Sequence, residues 1–180
     1  MTGFDEGLAT FLAAIIAAIM SLITYLSTKP TEIRAANRKT LEPYIYDIAD
    51  SIHQLIATSN ILLKNKTQES RENWKEKAES AKSKLKDIRP KIRYSLWGLE
   101  DYILSLTRLP DYTLYTLEDI EIAKKVVSRG TRLGDKVDKC IKNCYLNGRT
   151  PRKIELIIIK IYNWRYKKTR DEYKRKRKIN

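Results

Sequence analysis

Residues 5–34 read DEGLATFLAAIIAAIMSLITYLSTKPTEIR, and no charged residue lies between Glu6 and Lys29. The uncharged run from Gly7 to Thr28 has 22 positions, enough for a helix of about 33 Å, close to the hydrocarbon thickness of a bilayer. A cleavable secretory signal has a basic leading region and a shorter apolar core. Because the leading residues here are acidic and the core is long, the pattern predicts a transmembrane helix that is not cleaved.

The central helix of a soluble bundle is the main alternative, since Ala, Ser, Thr and Gly make up about half of the run. Such a helix normally carries a polar stripe at helical spacing. Only Thr10, Ser21 and Thr24 are available to form one, and membrane helices tolerate hydroxyl side chains. The composition therefore favours the membrane span over the soluble helix.

The basic flank behind the run predicts its orientation. Four Lys or Arg residues follow the run within eleven positions, and none precedes it. Since basic flanks are retained in the cytoplasm, we expect the N-terminus outside and the rest of the chain inside the cell. The same four side chains are candidates for contact with anionic lipid headgroups: Lys29, Arg34, Arg38 and Lys39.

Small residues recur at every fourth position of the run, at Ala9, Ala13, Ala17 and Ser21. Small side chains at this spacing let two helices approach closely in lipid, where packing drives association. The pattern predicts a homo-oligomer held together by this face. An Ala-rich span that packs on nothing fits the same residues equally well.

The remainder of the chain is basic and favours helices. The sequence has 180 residues, with 36 Lys and Arg against 22 Asp and Glu, a net charge of +14, six Gly and five Pro. The charge indicates an anionic partner, and apolar residues spaced by three and four indicate helices. We expect an all-α protein in which one N-terminal transmembrane helix precedes a cytoplasmic bundle of four to five helices. The expected divisions are an anchor (1–28), a basic juxtamembrane segment (29–40), the bundle (41–166) and a basic C-terminal tail (167–180).

Caps and breakers predict the helix boundaries in the bundle. Thr40 is expected to cap the N-terminus of the second helix. Next should come one long helix kinked near Arg89, or two nearly collinear helices, because the apolar series continues past the following proline. Residues 108–116, RLPDYTLYT, read as an extended loop. Thr116 followed by Asp119 resembles a capping arrangement for the next helix.

The last helix is expected to start with Thr150 as its cap and Pro151 at its first position. Asn147-Gly148 should end the helix before it. The core-facing side chains of this last helix are expected to be Ile154, Ile157, Ile158, Ile161 and Trp164.

Three cations surround this expected helix start: Arg149, Arg152 and Lys153. Free backbone N–H groups and the positive end of the helix dipole favour an anion at such a position. Cations are slightly unfavourable there for the helix itself. We therefore regard the three residues as a candidate phosphate site. An incidental basic turn on a basic domain is the alternative.

The C-terminal segment combines charge with aromatic residues. From Lys160 onward it holds ten Lys or Arg residues, interleaved with Tyr162, Trp164, Tyr166 and Tyr173. This composition suits either a nucleic-acid strand or an anionic leaflet. A solvated, frayed tail is the alternative.

Catalytic and metal-binding patterns are missing from the sequence. There is no P-loop, GxGxxG or GxSxG motif. The single histidine, His53, is expected to be partly buried and hydrogen-bonded on the core edge of its helix. Cys140 and Cys144 share one helix face and read as a reduced pair without further ligands. We predict no enzyme activity, no catalytic residue, no metal and no cofactor.

Together these features predict a single-pass, membrane-anchored interaction or effector protein that self-associates through its anchor. Membrane lipids, a second copy and a protein partner are its expected contacts. By layout alone, membrane-perturbing toxin-like or anti-phage effectors are one version of this class. The alternative is a membrane-tethered nucleic-acid- or nucleotide-binding protein that uses its basic C-terminal region, which makes nucleic acid the second choice of partner.

Overall fold

The computed structural model describes residues 3–64 and 68–179, and side chains over 10–64 and 71–175. These residues form seven α-helices and no strand, so the all-α prediction is confirmed, as is a long apolar first helix ahead of a bundle. Six helices follow the first one within the described ranges, against the four to five expected. The number is larger because two short helices, at 100–107 and 109–116, replace the end of an expected long helix and an expected loop. Their bounds are α1 Gly3–Leu41, α2 Ile45–Lys64, α3 Gln68–Ile92, α4 Glu100–Thr107, α5 Leu109–Thr116, α6 Ile120–Asn147 and α7 Lys153–Ile179.

Helix α2 lies at the centre of the bundle and packs against α3, α5 and α6. Helix α7 packs mainly on α6, and α1 contacts α6 and α3 near its C-terminal end. One core cluster joins these helices, and its fully buried members include Leu41, Ile52, Leu96, Leu106 and Leu133. The apolar series read from the sequence therefore converge on one core.

The expected helix start at Thr40 is wrong. Thr40 lies inside α1, and its hydroxyl donates to the Ala36 carbonyl 2.9 Å away. Helix α1 ends at Leu41, two residues before Pro43, which disfavours helical backbone at the residue before it and has no N–H to donate. The proline, rather than the hydroxyl, sets the boundary, and α1 includes the whole basic juxtamembrane segment, residues 29–40.

The apolar series from α3 into α4 breaks at a different place from the one expected. Helix α3 continues through Pro90 to Ile92, and turns then occupy residues 93–98. Gly98 has a φ of +85°, a left-handed conformation that ends any continuous helix. The break therefore lies in residues 93–98, which end at Gly98, rather than at Arg89, and α4 is a separate helix.

Residues 108–116 are not an extended loop. Leu109–Thr116 forms α5, with Pro110 in the first turn, where its missing N–H costs nothing. Thr116 belongs to this helix, and its hydroxyl donates to the Tyr112 carbonyl at 2.8 Å. Asp119 alone caps α6, accepting a hydrogen bond from the Ile122 N–H at 3.1 Å.

Helix α6 packs closely on its neighbours and ends where the sequence predicted. Its two glycines on the apolar face allow close packing, since a Cβ at Gly134 would lie 2.5 Å from the Ile56 Cδ1 atom. Gly148 ends the helix with a φ of +57°, as expected from Asn147-Gly148.

The expected core face of α7 is wrong. The isoleucines and the tryptophan assigned to it are all exposed, at 41–60% of their surface. Ile159, Asn163, Tyr166, Thr169 and Tyr173 face the bundle instead. Thr150 does not cap the helix, which starts at Lys153 after Arg152. Helix α7 also continues past residue 166 to Ile179, so that at least through Tyr173 the predicted tail packs on the bundle.

Candidate functional site

Helix α1 is long and apolar enough over Thr10–Leu41 to cross a membrane, and its apolar part has no buried residue. Large apolar side chains such as Phe11, Ile16 and Leu26 are more than half exposed. The hydroxyls of Thr24 and Thr28 donate to carbonyls one turn back, at 2.8 and 2.9 Å. Polar groups that are satisfied inside the helix are compatible with a lipid environment.

The predicted small-residue face is open along α1. Ala13, Ala17 and Ser21 are exposed and recur at four-residue spacing on one side of the helix. The side chain of Ala9 lies outside the described residues. The face is thus available for contact with another helix, and its role in self-association stays a prediction.

The four basic residues behind the apolar run have different surroundings. Lys29 stacks 4.6 Å from the Tyr25 ring centroid and donates to its hydroxyl, whereas Lys39 is exposed. Arg38 donates from Nη2 to the Leu146 carbonyl at 2.6 Å, which ties α1 to the end of α6. The Arg34 side chain is exposed, and its backbone lies against Gly148. All four positions are compatible with lipid contact, which stays a prediction.

The candidate phosphate site contains an acidic residue that sequence reasoning missed. Arg149 forms a two-pronged ion pair with Glu155, with both nitrogen–oxygen distances at 2.7 Å. Glu155 also accepts the Arg152 backbone N–H at 2.8 Å, which closes the first turn of α7. The side chains of Arg152 and Lys153 are exposed. Any anion at this turn must therefore bind beside the Glu155 carboxylate, which already forms an ion pair with Arg149. The spacing of Glu155, three residues after Arg152, is the signal that could have revealed it.

Two buried cysteines lie beside this ion pair. Ligand atoms of Cys140, Cys144 and Glu155 lie within 4.8 Å of one another, a set that could hold a metal ion. Hydrogen bonding to Cys144 and burial both raise the pKa of the Cys140 thiol, which favours its protonated form. The adjacent Arg149 guanidinium opposes a second cation. The surroundings therefore agree better with a reduced pair than with a metal site.

The ion pair predicts acid-sensitive stability. Hydrogen bonds from Arg149 and from the Arg152 backbone lower the pKa of Glu155 from 4.5 to about 2. A lowered carboxyl pKa contributes stability that is complete above the ordinary pKa and lost as pH falls through about 2. We expect Glu155→Gln to reduce the free energy of unfolding by about 2 kcal/mol at pH 7 and much less at pH 2. Urea unfolding of wild type and variant in detergent at both pH values measures this, with the exposed Glu76→Gln as the control. Equal losses at both pH values would contradict the assignment.

A basic groove of about 410 Å³ lies between α6 and α7. Its cations come from both helices, and Arg129 is fixed because it donates to the Arg165 carbonyl at 2.9 Å and to the Thr169 hydroxyl. The Lys168 ammonium lies 5.4 Å from the Trp164 ring centroid. The groove is lined by Arg129, Arg132, Tyr162, Trp164, Arg165, Lys168 and Glu172.

The chemistry of this groove suits an anion that carries an aromatic group. Four cations against one carboxylate attract negative charge, and an exposed tryptophan offers a stacking surface. The α7 residues fall in the segment that the sequence marked as basic and aromatic. Arg129 and Arg132 were missed because only the pairing of α6 with α7 brings them beside that segment.

His53 is more exposed than expected. Its side chain is 57% exposed, and Nε2 lies 3.9 Å from an Asp138 carboxylate oxygen. That oxygen also accepts from Lys142 at 2.6 Å. Asp138 is therefore shared by two cationic or polar partners, a common arrangement at a helix surface.

Comparison of the chain with protein-family models, with curated proteins and with solved structures finds no match.

Proposed function

We propose that this chain is a single-pass, membrane-anchored interaction or effector protein that self-associates through α1. One observation carries the proposal: the apolar side chains of α1 from Thr10 to Ile33 are exposed all around the helix. An apolar helix of this length would have to be buried in a soluble protein, whereas a bilayer covers it directly. The basic flank supports a cytoplasmic bundle and an external N-terminus.

Fractionation of the full-length protein tests the anchor. We expect it in the membrane pellet after extraction at alkaline pH, because a spanning helix resists conditions that strip proteins held by surface charge. Recovery in the soluble fraction would contradict the proposal.

Self-association through the small-residue face gives a separate prediction. Ala13→Leu with Ala17→Leu should weaken oligomerisation in bilayers by about tenfold, because two bulky side chains keep the helix backbones apart. Energy transfer between labelled copies measures this, with Ile15→Leu and Ile19→Leu on the opposite side as the matched control. Unchanged transfer in the alanine variant would show that α1 associates through another face or not at all. If clustered anchors perturb the membrane, the same variant should abolish depolarisation on induced expression without lowering the protein level.

The groove between α6 and α7 favours a second candidate function, a membrane-tethered nucleic-acid-binding protein. Arg132→Ala with Arg165→Ala should weaken binding of single-stranded nucleic acid and lower the slope of log affinity against log salt by about 1.4. Both side chains are exposed, so the fold should be retained. Lys84→Ala with Lys86→Ala removes the same charge from the surface of α3 and is the control. Equal effects of the two double variants would show that net charge, not the groove, drives binding.

A further inference from the structure

Several helix ends meet at the end of the bundle where α1 joins it. Arg38 of α1 bonds to Leu146 at the end of α6, and Lys91 near the end of α3 lies 5.5 Å from the ring centroid of Tyr44. The turn after α3 also reaches α7, since Gly98 lies against Leu156. The ends of α1, α3 and α6 and the starts of α2 and α7 therefore share this end.

This end exposes an unusual set of large apolar side chains. Tyr94 and Trp97, in the turn after α3, are 87% and 75% exposed. Each of the other members lies within two residues of a helix end. We call the set the end patch: Tyr46, Tyr94, Trp97, Leu146 and Ile154. On α7 it continues into Ile157, Ile158 and Ile161, which are also exposed. Soluble surfaces rarely leave so many large apolar groups together without a partner.

The start of α7, which carries Ile154 of the end patch, lies near the point where the apolar part of α1 ends. The loop Gly148–Thr150, which leads into α7, lines a common pocket with α1 residues from Leu26 to Asn37. The apolar run ends between Leu26 and Lys29, two residues that lie about 4.5 Å apart along the helix axis. A membrane that covers the apolar run would therefore have its surface beside the start of α7.

The chemistry of the end patch matches a membrane surface. Tyr and Trp are the residues enriched at the boundary between hydrocarbon and water. Exposed cations lie near the patch at Lys39, Lys91, Arg93, Arg152 and Lys153. They outnumber the nearby acids, which are the exposed Glu42 and Asp47, the partly covered Glu100 and the ion-paired Glu155. Cations next to interfacial aromatics favour an anionic leaflet. In a symmetric dimer through this patch, the two basic rims would repel each other.

We propose that the end patch docks onto the anionic membrane surface beside α1, so that the bundle lies against the bilayer with this end inserted among the headgroups. The inference rests on the proposed function, because it requires α1 to span that membrane. Docking would add headgroup contacts to those that already join α1 to α6 at Arg38 and Gly148, and so fix the tilt of α1 and the bundle together against the bilayer.

Quenching of the three tryptophans by brominated lipid can measure how deeply each one lies in the bilayer. Trp97 belongs to the end patch, and Trp164 lies about 17 Å along α7 from its start. Trp74 lies about 27 Å along α3 from the same end, so it serves as the internal control. Single-tryptophan variants of the full chain, with the other two changed to Phe, are reconstituted in bilayers containing anionic lipid brominated near the headgroup. A fourth variant, Leu22→Trp with all three native tryptophans changed to Phe, reports on α1.

We expect brominated lipid to lower Trp97 emission about twofold, Trp164 emission less, and Trp74 emission hardly at all. Lipid brominated deep in the chains should quench the α1 reporter. If that reporter is quenched and Trp97 is not, the docking proposal is overturned while the anchor stands. If neither is quenched, the proposed function fails as well. If Trp97 is shielded from an aqueous quencher only at high protein density and never by lipid, a second copy covers the patch and docking on lipid is overturned.

Discussion

Replacing Ile16 and Ile19 with arginine is expected to move the protein from the alkaline-resistant membrane pellet into the soluble fraction. An arginine near the centre of a membrane helix costs about 3 kcal/mol of insertion free energy, so the pair costs about 6 kcal/mol. That cost corresponds to about a 10⁴-fold fall in the insertion equilibrium. Both side chains are exposed on α1 and contribute nothing to the core cluster, so the bundle should still fold.

The control for this variant adds the same charge elsewhere. Ala57→Arg in α2 and Ser128→Arg in α6 change exposed positions of the bundle. This control should stay in the pellet. Retention of the α1 variant in the pellet under the same conditions would mean that the apolar run is not what holds the protein at the membrane.

Gly148→Ala is expected to lower the free energy of unfolding by about 3 kcal/mol, the largest loss among the single substitutions considered. The residue has a φ of +57°, where a side chain costs about 1–2 kcal/mol. A Cβ there would also lie 2.8 Å from the Arg34 carbonyl carbon and closer still to its oxygen. Because both neighbours are backbone, relief requires α1 to shift away from the end of α6. Chemical denaturation in detergent micelles, followed by far-UV circular dichroism, measures the loss.

Gly98→Ala separates the two contributions. Gly98 also has a positive φ, +85°, but a Cβ there would meet the movable Leu156 side chain, at 3.0 Å, rather than backbone. We expect this variant to lose about half as much stability as Gly148→Ala, since only the backbone strain remains. Equal losses would show that the close approach between Arg34 and Gly148 contributes nothing, and that α1 is not held against α6 there.

The candidate site could be predicted only in part. The exposed small-residue face of α1 and the basic, aromatic character of α7 were visible in the sequence, since each depends on neighbouring residues in one helix. The ion pair of Arg149 with Glu155 lay within six residues and was missed because no cap was assigned to Arg152. Arg129 and Arg132 could not be found, because a groove between two helices depends on their relative rotation.

Sequence by itself determined the helical class and the apolar first helix, because composition and spacing of three and four residues act within one segment. The exposed isoleucines of α7 show that this local pattern did not predict which face of a helix is buried. Taken alone, the helix would bury Ile157 and Ile161, the more apolar of its faces. In the folded chain Tyr166 and Tyr173 are buried instead, where their rings meet Tyr112 and Tyr115 edge to face at 6.3 and 5.3 Å. Only the tertiary structure decided this, because the rotation of a helix is set by the shape and partners of the surface it packs on, which its own residues do not contain.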